Sequence, residues 1–246
     1  MISLSPSQSD IQTVLRSFLL SILPSGVAVV EGQDNRVPEP QGTDFVVMTT
    51  IARPRIATNL DEAKDCAFMA SIAGTVMEVT ELLIGSITVG NALFGAGVTA
   101  GTSILSQVSG EPGDIGAYNV SQTQTVASEK MACGSMSLTQ ATQVTVQLDV
   151  HSANVKDAAD MAQTISTCFR DESATRFFHT INPAVSPLYA DDPKQMPFLN
   201  AEQQWETRWI VDAVLEANQA VSGIPQEFAD QLTPELICVE ATFPAS

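Results

Sequence analysis

Ile11, Val14, Leu15, Phe18, Leu19 and Ile22 recur at the spacings of a single helical face. The pattern predicts a first helix capped by Ser7 or Ser9 and ended by Pro24. Gly26 leads into a strand over Val27–Glu31, and a second strand is predicted over Asp44–Ile51. Between them lies a polar loop, Gly32–Gly42, holding Gln33, Asp34, Asn35, Arg36, Pro38 and Pro40. Neighbouring strands need only about two to five residues to join them. The prolines fix their own φ and push Val37 and Glu39 toward extended conformations, which predicts a stiff, projecting loop. Such loops ordinarily touch something.

Past Arg53-Pro54-Arg55, a basic spot, the composition shifts from about Cys66 to Cys133. This segment carries nine of the 14 glycines, five acids, one Lys (Lys130), and neither Trp nor Arg. Apolar residues come in short bursts: Val76, Met77 and Val79, then Ile87 and Val89, then Ile104, then Tyr118 and Val120. Bursts punctuated by glycine predict a small all-β module. It lies between two stretches that both look like strands of another sheet, so it is expected to be an insertion.

The cleanest period-2 pattern runs from Thr142 to His151. Thr142, Val144, Val146, Leu148 and Val150 face one way, and Gln143, Thr145, Gln147, Asp149 and His151 the other. Asn154 is placed to cap a helix with an Ala158, Met161, Ala162, Ile165 and Phe169 stripe. A second helical stretch around Ser173–His179 and a short strand over Val185–Ala190 follow. Asp191–Asn200 is another polar, Pro-containing loop, and Trp205–Ala217 a long strand. A short helix over Pro225–Leu232 and a last strand over Leu236–Phe243 complete the pattern. The order predicts an α+β fold: a mostly antiparallel sheet with helices packed on one face, plus the small all-β insert.

Charge narrows the possible partners. Eleven Lys plus Arg against 28 Asp plus Glu leave −17. A protein that grips nucleic-acid phosphates needs clustered cations, so that class is disfavoured. A surface that must not hold DNA passing close by is compatible with the charge, as is simple solubility. Cys66, Cys133, Cys168 and Cys238 form no C-x-x-C, and the opening residues do not resemble a signal peptide. Free thiols in a reducing cytosol are expected. The uncharged stretch between Glu81 and Glu111 is broken by glycines at 85, 90, 95, 97 and 101 and predicts short strands rather than a membrane helix.

Catalytic and metal-binding patterns give little. No G-x-S-x-G is present, although spacing alone leaves a Ser-His-Asp arrangement open. Asp149 and His151 share a strand face and are expected to be an exposed, solvated pair. Asp191-Asp192 and Asp157 with Asp160 are metal candidates only if further ligands converge; a solvated loop and a helix-terminus charge effect explain them more simply. Gly95-Ala-Gly97-Val-Thr-Ala-Gly101 has the wrong last spacing for a dinucleotide loop. No catalytic residue, cofactor or metal is assigned, and a non-enzymatic assembly component is expected.

The runs GQDNRVPEP and YADDPKQMPF-x-N-x-E-x-Q-W resemble the tail (neck) terminator proteins of tailed bacteriophages. The N-terminal helix, TQVTVQLDVHS and IPQEFADQL share the resemblance, which covers most of residues 8–65 and 134–243. The Gly/Thr-rich segment resembles a β module spliced into various phage virion proteins. The resemblance implies a terminator-like domain of residues 1–65 and 134–246, with 66–133 inserted. It implies a ring, expected to be hexameric, that caps the tail tube, ends its growth and offers a docking face to the head-side connector. Further expected partners are neck proteins, and sheath if the tail is contractile, with DNA passing through the channel unbound and no membrane. The expected location is the virion neck, after assembly in the host cytoplasm. By matching position, Gln33, Asp34, Asn35, Arg36 and Pro38 are placed in subunit or tube contacts, with Asp191, Asp192, Pro193, Gln204, Trp205 and Arg208 as a second set. Two alternatives stay open: a connector or tail-completion protein at a neighbouring neck position, and a decoration protein or adhesin binding a glycan through the insert.

Overall fold

The computed structural model describes residues 2–32, 44–196, 198–199 and 205–225. The described chain separates into two compact units. One is made of Ile2–Glu62 and Ser137–Ser222, the other centres on Ala63–Met136.

The first unit is a sheet with three helices. Helix α1 (Gln8–Ile22) opens with a capping box: Asp10 N–H donates to Ser7 Oγ, and the Asp10 carboxylate accepts from the Ser7 N–H at 2.7 Å. Pro24 ends it as predicted, with Leu23 as the cap. Helix α2 (Val155–Phe169) is capped by Asn154 and α3 (Glu172–Ile181) by Asp171. All three lay their apolar stripes on one core, where Ile11, Leu15, Leu19, Ile165 and Phe178 are completely buried. Phe18 is the hub, with its ring 5.4–5.9 Å from those of Phe169, Phe177 and Phe178.

The strands beneath them are β1 (Ser3–Ser5), β2 (Ala28–Glu31), β3 (Phe45–Ala52), β7 (the C-terminal part of Gly116–Ser152), β8 (Val185–Ala190), β9 (Lys194–Gln195), β10 (Phe198–Leu199) and β11 (Trp205–Pro225). Their order is β1-β11-β7-β3-β2, with β8, β9 and β10 also paired to β11. The β3–β7 pairing and those of β1, β8, β9 and β10 with β11 are antiparallel. The α+β class is therefore as the sequence pattern indicates. Val144, Val146, Leu148 and Val150 of β7, with Val211, Ala213, Leu215 and Ala217 of β11, point into the helical core with no exposure.

β2 and β3 run parallel, with Val29 opposite Val46. This changes the meaning of the long connection after Gly32. Parallel neighbours cannot be joined by a hairpin; the chain must travel back along the strand, which takes about a dozen residues. Topology alone accounts for the loop's length, without a partner.

An arginine caps one main-chain carbonyl on each side of this sheet. Ala28 N–H donates to Asp44 O and Gly32 N–H to Met48 O, so the Val29 carbonyl between them faces away from β3. Arg16 of α1 donates its Nε to that carbonyl at 2.9 Å. At β8, Arg170 at the end of α2 donates Nε to the Ala190 carbonyl at 2.7 Å, and Ser166 Oγ donates to Asp191 O. Unpaired carbonyls on a sheet edge are templates for another strand, and here cations occupy two of them.

The second unit is all β, as its composition suggests. It contains β4 (Leu60–Ile84), β5 (Ala92–Phe94), β6 (Ile104–Gln107) and the first part of β7, and β4, β5 and β6 all pair with β7. Its own core includes Phe68, Ile72, Met77, Ile104, Tyr118 and Met131. The separate bursts read from the sequence are longer elements: β4 spans 25 residues, and β7 spans 37, with the expected 142–151 strand as its last section. Between Gly116 and Ser152 there is no Pro and a single Gly, Gly134, so nothing breaks the strand. The glycines do mark turns elsewhere. Gly85 and Gly110 have φ of +74° and +94°, and a Cβ on either would fall 2.1 and 2.0 Å from a backbone carbonyl oxygen.

Cys66 and Cys133, remote in sequence, are hydrogen-bonded to each other inside this core as free thiols. Burial, with the neighbouring Cys133 adding to it, pushes the Cys66 thiol up to about 12, and burial raises Cys133 as well. Cys168 packs against the other core, as its place beside the α2 stripe suggests. Cys238, the Pro225–Leu232 helix and the Leu236–Phe243 strand lie outside the described residues. No helix among the described residues is long and apolar enough to cross a membrane.

Candidate interaction surfaces

Gln33, Asp34, Asn35, Arg36 and Pro38 lie outside the described residues, as does Gln204; of Trp205 only its backbone, opening β11 opposite Leu199, is described. Asp191, Asp192 and Pro193 are on the surface, but not in a projecting loop. The Asp191 N–H donates to Asp212 O at 2.9 Å, and Lys194 and Gln195 pair with Ile210 and Trp209. Arg170 reaches Asp192 at 3.1 Å, the same side chain that holds the Ala190 carbonyl. The stretch is laid against β11 by main-chain bonds and pinned by one arginine. Its polar sequence predicted exposure correctly and missed the short β9 and β10 pairings, which are two residues each and leave no alternation to read.

Arg208 occupies the sheet face turned away from the helices. It donates Nε and Nη2 to the same Asp149 oxygen, at 3.1 and 2.7 Å. Asp149 is only 8% exposed, which corrects the expectation of a solvated Asp149–His151 pair. A carboxylate this deep needs a charged partner, and β11 supplies it. His151 instead stacks on Phe45, its neighbour across β3, with ring centroids 4.6 Å apart and 10° between planes. Around these pairs, Gln143, Thr145, Gln147, Ile210 and Asp212 are half-buried, and Trp209 on the opposite face packs against the helical core.

A second concavity lies on the helix side. The C-terminal end of α1, the turn before β2 and the N-terminal half of α2 enclose a cleft of about 640 Å³. Leu23, Val27 and Met161 form apolar walls, and Asp44, Asp157 and Asp160 supply carboxylates. Asp44 is fixed by the Ser152 hydroxyl, which donates at 2.6 Å. Asp157 and Asp160 are exposed, and no ion pair engages them among the described residues. Sequence spacing put these two on one face of α2; Asp44, more than a hundred residues away, had no signal linking it to them. Among the described residues no group of three or more His, Cys, Asp or Glu is arranged to hold a metal ion.

In the all-β unit, Phe68 and Tyr118 are fully buried, and the Tyr118 hydroxyl donates to Asp114 O. Two of the three aromatic rings of the 66–133 segment are thereby withdrawn from any glycan, whose recognition favours exposed rings.

No curated protein matches the chain. A family model described as phage neck terminator protein matches residues 103–237, which run from the start of β6 through β7, α2 and α3 to beyond β11. That span takes in both interlocked arginines, Arg170 and Arg208, and begins within the 66–133 segment. It covers more than half of the sequence, and the chain belongs to the phage neck terminator protein family.

Proposed function

We propose that the protein, a structural component of the phage neck by its family, forms a ring there, a hexamer of identical subunits, seated on the last ring of tail tube. There it ends tube growth and presents a docking face to the head-side connector. The family match carries this reading. Three features of the chain support it: a net charge of −17, edge carbonyls of β2 and β8 taken up by arginines, and polar surfaces left on the sheet face and on the 191–196 segment. The capped carbonyls favour subunit contacts through side-chain surfaces and loops. Acidic residues line the channel, so DNA passes without being held by its phosphates. The 66–133 segment is an insertion on the outside of the ring, and assembly takes place in the host cytoplasm.

The test is the mass of the purified protein in solution, alone and with tail tube protein added. A ring-sized species in either setting is expected; a persistent monomer in both overturns the reading. Electron microscopy of particles lacking the protein separates neighbouring roles. Overlong tails are expected, whereas unattached tails of normal length assign it to the connector position.

A further inference from the structure

The cleft beside α2 and the basic segment after β3 sit at opposite ends of a single strand. Asp44 immediately precedes β3 (Phe45–Ala52), and Arg53-Pro54-Arg55-Ile56 immediately follows it. Eight residues of strand separate them by about 27 Å. No side chain spans that distance, so the two cannot meet within one chain.

Each is built to receive the other. The cleft combines apolar walls, Leu23, Val27 and Met161, with the unpaired carboxylates of Asp157 and Asp160. The segment 53–56 is exposed and carries Ile56, 51% exposed, beside Arg55. Main-chain bonds hold it rigid, with Ile56 N–H donating to Ala141 O and Gln143 N–H to Pro54 O. The Arg53 guanidinium is committed to Gln219 at 2.7 Å, while that of Arg55 has no partner among the described residues.

Competing cations in this unit fit less well. Arg16, Arg170, Arg176 and Arg208 are bonded internally. Lys156 stands on α2 itself, in the same turn as the aspartates, and Lys194 lies in β9 within an acidic stretch, close after Asp191 and Asp192. Among the described residues, an arginine without a partner beside an exposed isoleucine is a scarce combination.

We propose that Arg55 and Ile56 of one copy seat in the Asp44/Asp157/Asp160 cleft of the next. Donor and acceptor lie at different places on each subunit, which lets the contact repeat head to tail, as the subunits of a closed ring do. The inference rests on the ring reading and adds the contact that builds it.

The experiment compares three variants with the wild type by mass in solution, alone and on tail tube protein. They are Arg55→Glu, the pair Asp157→Lys with Asp160→Lys, and a chain carrying all three changes. Thermal melts check that each subunit stays folded; all these positions are surface residues. The first two are expected to raise the concentration needed for assembly at least tenfold, and the combined chain to recover most of that loss, because the charges are exchanged. Arg55→Glu assembling like the wild type overturns the contact while leaving the ring intact. Loss of assembly in the aspartate variant alone overturns it too, and assigns the cleft to a basic segment of another neck protein. A wild-type chain that stays monomeric in both settings overturns the ring reading and the contact with it.

Discussion

Arg208 holds the Asp149 carboxylate at 2.7 Å on the sheet face opposite the helices, with only 11% of the aspartate side chain exposed. Removing one partner of such a pair strands the other charge in a poorly hydrated place. Arg208→Ala is expected to cost about 3 kcal/mol, read as a lower urea midpoint at unchanged slope. Replacing Asp149 with Asn in the same chain should recover part of the loss, since the stranded group is then neutral. An Arg208→Ala protein as stable as the wild type would show that the pair contributes nothing. The alternation of 142–151 correctly put Asp149 off the core face, and nothing local could reveal that β11 brings a guanidinium to it. Sequence separation is the reason: the partners are 59 positions apart.

The helices were the most legible elements, because period and caps are local. Ser7, Asn154 and Pro24 act where their chemistry predicts. Two of the starts carry titrating carboxyls. The Ser7 N–H, then its hydroxyl, hold the Asp10 carboxyl below its ordinary value, and the Ser173 hydroxyl, then its N–H, do the same for Asp171. A depressed folded value stabilises the fold fully above the unfolded value, about pH 4. That contribution drains away as pH falls through the depressed values. Protection of the amides in the first turns of α1 and α3, relative to their intrinsic exchange rates, should therefore fall below about pH 4, and Asp10→Asn should remove this acid dependence from α1 alone. Strand limits were less legible. β7 is one element of 37 residues whose Ser, Thr and Gln run gives no clear alternation, and β1 has only three residues. The parallel β2–β3 pair was invisible, since direction leaves no trace in a strand's own sequence.

At the scale of the molecule, the Cys66–Cys133 thiol contact shows that the two ends of the 66–133 segment lie side by side. Joining Cys66 to Cys133 through an Asn-Gly turn in place of 67–132 should therefore leave the remaining chain folded, with one cooperative melt and retained helical circular dichroism. Loss of the helical signal would show that the α+β unit needs the segment to fold, and would count against the insertion. The composition shift marked this segment because a separate core needs its own apolar set, here Phe68 to Met131. The arginines at β2 and β8 bear on self-association. A sheet edge with open carbonyls recruits further strands as concentration rises. Arg16 on the Val29 carbonyl and Arg170 on the Ala190 carbonyl each withdraw one such acceptor, which disfavours backbone pairing at those two strands and leaves any contact between copies to side-chain surfaces.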